Sequence, residues 1–179
     1  MKKCINLSIG KTTITKKPDY DADTSYLGEY GDQVKPGCII IRDKVVYEDI
    51  ADNEDYEIPE RGREYRFFYP PDNGEKPGDP DYKKYALQNL ENMEDLNNQQ
   101  WGYCGIIVKT YIKTDMGLSD EVVNSLWGIE DHWDKESRLY IENDVITDLK
   151  AENKVELLEM GFTEKEIDES LNNAEMVEG

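Results

Sequence analysis

Asp19, Asp21 and Asp23 stand at the D-x-D-x-D spacing that opens an EF-hand calcium loop, where carboxylates at alternate positions converge on one cation. The rest of that motif is absent. Its sixth position holds Thr24 where a glycine makes the sharp turn, and its twelfth holds Tyr30 where a glutamate binds bidentately. The other reading is an acidic loop whose aspartates cap turns. A second acidic run follows at Glu48, Asp49, Asp52, Glu54, Asp55, Glu57 and Glu60. Such a run is either a solvated loop or a surface that presents carboxylates as nucleic acid presents phosphates. The candidate partner-binding residues are therefore Asp19, Asp21, Asp23, Glu29, Glu48, Asp49, Asp52, Glu54, Asp55 and Glu57.

Other reactive groups point away from catalysis. His132, in EDHWD, is the single histidine, which removes multi-histidine metal sites and leaves only one base for any nucleophile. No activated serine or cysteine is identifiable beside it. Cys4, Cys38 and Cys104 are odd in number and far apart, with no CxxC pair, so neither a disulfide framework nor a zinc site is read, and a reducing compartment fits. Glycine-rich phosphate loops are missing, and the pairs Gly28/Gly31 and Gly102/Gly105 read as turn or bulge positions. Among forty carboxylates chance pairs abound, so no acid/base dyad can be singled out. The expectation is a protein that is not an enzyme, with no cofactor and no resident metal; the alternative in the enzyme class is carboxylate-held metal chemistry.

The bulk properties agree. The chain has 179 residues, 21 Lys and Arg against 40 Asp and Glu, and a formal charge of −19. Phosphate contacts need a cationic surplus, so direct nucleic-acid binding and an anionic membrane are not expected. An acidic surface suits a basic partner met through electrostatic steering. Twelve Tyr, three Trp and three Phe argue for a folded core despite the charge. Length predicts a single domain over 1–179 with a frayed tail at 174–179. No window approaches the roughly 20 apolar residues of a membrane span, and the start carries no signal-length apolar run, so a cytoplasmic protein is expected.

The elements that must position these groups are read from periodicity. Residues 3–16 predict a strand that turns at Gly10 and returns through Thr12–Thr15. Residues 18–32 read as an acidic loop pinned by Tyr26, Leu27 and Tyr30. Residues 38–50 predict a strand, and 72–81 a loop marked by Asn73-Gly74, Pro77-Gly78 and Asp79-Pro80. A helix is predicted over 81–98, with Asp81 as N-cap. The densest apolar stretch, Trp101–Glu130, predicts a central strand over 101–114, a turn at Met116-Gly117, a short helical turn from Ser119 to Ser125, and a buried anchor at Leu126–Ile129. A long helix is predicted over 134–160, with Gly161 just past its end, and a last helix over 164–173 opened by a Thr163/Glu166 capping box. Together these give an α+β fold: a mostly antiparallel sheet with two principal helices packed on one face.

Four stretches, SYLGEY (25–30), GREYRFFYPPDN (62–73), WGYCGIIVKTYI (101–112) and SLWGIE (125–130), followed by a helix ending LLEMGF, together resemble a family of small acidic proteins of phage and plasmid genomes. The resemblance implies a mobile-element origin and brings no catalytic residues. In size, charge and lack of enzyme motifs the chain is also similar to type II-A anti-CRISPR proteins, which block Cas9. That likeness implies an anti-defence role in the host bacterial cytoplasm, with the Cas9–guide RNA complex as a host partner whose basic channel an acidic surface would fit. A phage accessory protein that binds some other host or phage protein is the alternative. LLEMGFTEKEIDESL (157–171) resembles the MGF loop of ubiquitin-associated domains, but those need three short helices. Met160-Gly161-Phe162 is therefore expected to be a helix-turn-helix corner with Phe162 packing back.

Overall fold

The computed structural model describes residues 7–46, 63–72, 74–114, 119–131 and 134–178. The sequence readings at Cys4, the acidic run 48–60, Met116-Gly117 and His132 lie outside the described residues. In chain order the elements are β1 (Leu7–Pro18), β2 (Glu29–Gly31), β3 (Ile39–Val46), β4 (Arg63–Tyr69), α1 (Tyr82–Asn97), β5 (Tyr103–Thr114), β6 (Ser119–Glu130), α2 (Lys135–Glu159), α3 (Glu164–Asn172) and β7 (Glu175–Glu178). The fold is α+β, as the periodicities predict. Two compact units are present: Met1–Asp19 with Tyr103–Gly179, and Tyr20–Gly102.

The first unit is built on a four-stranded sheet in the order β6-β5-β1-β7. Its centre follows from the alternation along β5. Cys104, Ile106, Val108, Thr110 and Ile112 share one buried face, while Ile107, Lys109 and Tyr111 on the other face are half-buried. β1 and β6 flank β5 antiparallel, with Ile14 opposite Val108 and Val122 opposite Thr110. β1 is one continuous strand. Gly10 does not turn the chain; Gly10 and Lys11 form a bulge opposite Tyr111, because pairing resumes at Thr12 against Thr110. Residues 119–125 are strand, not a helical turn: β-branched Val122 and Val123 favour the extended chain, and Val122 gains burial beneath the helices. Residues 175–178, read from sequence as a frayed end, pair parallel with Thr13–Lys16.

α2 and α3 cover the buried face. Ile141, Val145, Ile146 and Leu149 pack on Ile14, Cys104, Ile106, Val108 and Ile129. Farther along, Leu157, Phe162, Ile167 and Leu171 close over Ile112 and Val122. Each such side chain contributes about 1.5–3 kcal/mol through burial. Phe162 packs back, as expected, past Gly161, whose φ of 92° suits glycine at a helix end. Through this apolar layer runs one polar chain. Asn124 Nδ2 donates to Asn153 Oδ1 (2.7 Å), and Asn153 Nδ2 donates to Thr110 Oγ1 (3.2 Å). Thr110 and Thr12 hydroxyls are 3.0 Å apart, Thr12 and Ser170 hydroxyls 2.8 Å, and Ser170 Oγ donates to the Gly10 carbonyl (3.3 Å). Each hydroxyl has one proton, so the order of donors is fixed from Asn124 to Gly10. Asn153, Thr110 and Thr12 are almost wholly buried, which makes this satisfied chain a lock on the β6–β5–β1–α3 arrangement.

The second unit carries the antiparallel sheet β2-β4-β3 and α1. Met93, Leu90 and Leu96 of α1 pack on Leu27, Ile41, Tyr65 and Phe68. The two principal helices thus serve different sheets rather than one face of a single sheet. The core here is aromatic: Tyr30 stacks on Tyr65 (5.7 Å between centroids) and meets Phe68 edge-on (5.6 Å). Burial pushes the Tyr30 phenol up to about 12, against the pull of the Asn97 amide bonded to it. Trp101 belongs to this core and donates to the Asn92 carbonyl (3.2 Å), so the central strand starts two residues later, at Tyr103.

Candidate partner-binding surface

α2 starts where Asp134 accepts from the backbone of Glu136 (3.0 Å) and Ser137 (3.1 Å). The Ser137 hydroxyl and these amides hold the Asp134 carboxyl below its usual range. The helix then runs through Glu159 with two rows at four-residue spacing that differ in burial. Leu149, Asn153 and Leu157 are buried. Asp144, Asp148, Glu152 and Glu156 are exposed, and Glu159 follows them. Four residues of helix rise about 6 Å, so the row is a line of carboxylates at near-regular spacing along one flank. Like charges at i,i+4 destabilise a helix by about 0.2–0.5 kcal/mol per pair, and this row holds three such pairs.

The flank is the one nearest β6. Glu156 Oε1 accepts from Asn124 Nδ2 of β6 (2.8 Å). Among the described residues, Asp144, Asp148, Glu152 and Glu159 pair with no cation. Cations of α2 lie elsewhere: Lys154 pairs with Asp168 of α3 (2.7 Å), and Arg138 approaches Glu142 (3.8 Å), which also receives Lys16 of β1 (2.5 Å). Desolvation works against Lys16, but the hydrogen bond to Glu142 prevails and raises its pKa. α2 and α3 together hold eleven carboxylates and five cations, whereas the four strands β1, β5, β6 and β7 hold five carboxylates and five cations. Charge in the first unit is therefore segregated onto its helical layer.

The sequence-predicted residues behave differently. Asp19 closes the first unit, where its Oδ2 accepts from the Gly128 amide (2.8 Å). Asp23 Oδ1 accepts from the Ser25 amide (2.9 Å), an Asx turn that leads into the short 3-10 turn Ser25–Leu27. Its pKa is lowered by the Ser25 hydroxyl and amide. The turn-capping reading of the aspartates holds for Asp23. Glu29 is an exposed residue of β2, and Asp21 lies in the loop before the turn. Glu48, Asp49, Asp52, Glu54, Asp55 and Glu57 are outside the described residues. The expected anchor at Leu126–Ile129 is split: Ile129 is buried, but Leu126 and Trp127 are 48% and 45% exposed. A bulge at Trp127–Gly128 lays the Trp127 indole over Gly105, where any Cβ would overlap it.

Groups that resemble catalytic ones are otherwise engaged. A depression of about 450 Å³ at the β1 bulge is lined by Lys11, Thr12, Glu169, Ser170 and Asn173, and its Ser170 hydroxyl belongs to the polar chain. The Cys104 thiol is pushed up by burial, against the pull of Lys16. Among the described residues no three His, Cys, Asp or Glu side chains are grouped to hold a metal ion, and no helix is long and apolar enough to cross a membrane. The α2 row escaped the sequence reading because helix carboxylates are usually solvated faces. Its signal was the repeated four-residue spacing of acids without lysine partners. No protein-family model matches the chain, and no curated protein or solved structure matches it.

Proposed function

We propose that this protein acts by binding, as an anti-defence inhibitor whose carboxylate surface occupies a basic protein groove built for nucleic acid, with the Cas9–guide RNA complex as the target. The observation that carries the reading is the α2 row: Asp144, Asp148 and Glu152 repel one another and lack cationic partners among the described residues. A row that weakens its own helix is explained by a partner that supplies the missing positive charge. Carboxylates about 6 Å apart on a rigid helix offer such a groove a line of fixed negative charge, and fixed charge binds with less loss of freedom than a mobile loop. The net charge of −19 adds long-range attraction toward a basic target and keeps free nucleic acid away.

The test is direct. Purified protein at micromolar concentration is mixed with Cas9 and guide RNA, and both co-elution and target cleavage are measured. Binding with loss of cleavage is expected. Neither binding nor inhibition would discard the Cas9 assignment.

A further inference from the structure

β6 ends its sheet: its inner side pairs with β5, and no described strand pairs with its outer side. Such an edge offers backbone N–H and C=O groups to another chain, and folded proteins ordinarily blunt it with charge, proline, a bulge or a cover. Among the described residues, β6 is blunted at its ends only. Asp120 and Glu121 charge the start, and the bulge at Trp127–Gly128 bends the finish, where Asp19 takes the Gly128 amide. Val122 to Leu126 carry no charge and no proline, a length of about 17 Å at the strand rise. Side chains sort by face along it. Val123 (41% exposed) and Trp127 project from the open face of the sheet, while Asn124 and Leu126 lie on the helix side.

α2 runs antiparallel to this edge. Leu149 packs near Ile129, Glu156 meets Asn124, and Leu157 packs near Val122. The carboxylates from Asp148 to Glu156 thus accompany the same length of β6. A strand added outside β6 would lie about 4.8 Å farther out, with alternate side chains pointing to opposite faces. On the helix side those side chains would meet the carboxylates; on the other they would meet Val123 and Trp127.

We infer that the outer side of β6 is a strand-addition site for an extended cationic segment of the partner protein, one in which Lys or Arg alternates with apolar residues. Backbone pairing supplies the affinity, and the two faces supply the pattern. A second copy of this chain fits poorly, because a twofold pairing of β6 with itself sets two carboxylate rows on the same side of the seam. The inference rests on reading the α2 row as a partner-binding face, and it does not depend on the partner being Cas9.

The test uses the full chain and labelled peptides of about ten residues, read by fluorescence anisotropy and by backbone amide shifts. Peptides of alternating Lys and Val, of alternating Glu and Val, and of Lys and Val in two blocks are compared. The alternating Lys-Val peptide should bind at least ~10-fold tighter than either control and shift amides within 122–127. N-methylation along one edge of that peptide should abolish binding, and the double variant D148K/E152K should weaken it ~10-fold with the fold intact by circular dichroism. Equal affinity for the block peptide, insensitivity to N-methylation, amide shifts elsewhere, or self-association through β6 would each overturn the inference. Peptide binding without Cas9 binding retires the Cas9 assignment and leaves the edge site standing. Cas9 inhibition that saturating Lys-Val peptide does not relieve retires the edge site alone.

Discussion

The chain has two acidic regions that look alike in sequence and are unlike in structure: the loop of Asp19, Asp21 and Asp23, and the α2 row of Asp144, Asp148, Glu152 and Glu156. In the loop, Asp19 and Asp23 accept hydrogen bonds from backbone amides, and both aspartates hold local geometry. In the row, Asp144, Asp148 and Glu152 have no donor or cation among the described residues and sit at mutually repulsive spacing. Acidity alone therefore does not identify a binding surface. Carboxylates that complete the fold are stabilised by backbone amides, and those of the row carry no such donor among the described residues.

The contrast can be broken most forcefully at the platform of the row. Asn153→Ala leaves Asn124, Thr110 and the Val108 carbonyl without their buried partner, and should lower unfolding free energy by about 3 kcal/mol in chemical denaturation. A loss under 1 kcal/mol would mean that the polar chain does not hold α2 against β6. Next in size, D148K/E152K should reduce affinity for a cationic partner ~10-fold at low salt, with the difference shrinking at high salt, while D23N/E29Q leaves it unchanged. Equal losses from both variants would erase the distinction between loop and row.

Stability should respond in the opposite sense. Asp19→Ala removes the acceptor of the Gly128 amide at the β6 bulge and should destabilise by about 1 kcal/mol in a thermal melt. Asp148→Asn and Glu152→Gln relieve like-charge pairs and should stabilise by about 0.2–0.5 kcal/mol per pair, measurable by calorimetry at low salt. Destabilisation by these neutral variants would show that the row contributes to the fold after all. The smallest effect is in titration. The Asp23 carboxyl has a folded pKa below the ordinary aspartate value, so its stabilising contribution is present above the unfolded value and fades as pH falls through the folded one. A carboxyl-carbon titration followed by NMR should place its midpoint low, and a midpoint at the ordinary value would remove Asp23 from the structural class.

Much of the architecture was legible in the residues. Alternation along 103–112 marks the central strand, four-residue spacing marks both long helices, and Thr163 with Glu166 forms the capping box that their spacing predicts. Gly161 and Phe162 turn the corner as their types require. These features depend on contacts within a few residues, which is why the sequence by itself determines them. Three others were decided only by tertiary structure. Gly10 reads as a turn, yet β1 continues through a bulge because β5 lies alongside to pair with it. Ser119 reads as a cap, yet pairing with β5 draws its segment into a strand. The functional contrast is of the same kind. Asp19 and Asp148 carry identical side chains. What separates them is a backbone amide at Gly128, 109 residues away from Asp19. Local chemistry fixes which residues can bear charge; only the long-range contacts of the fold decide which charges are answered within the chain.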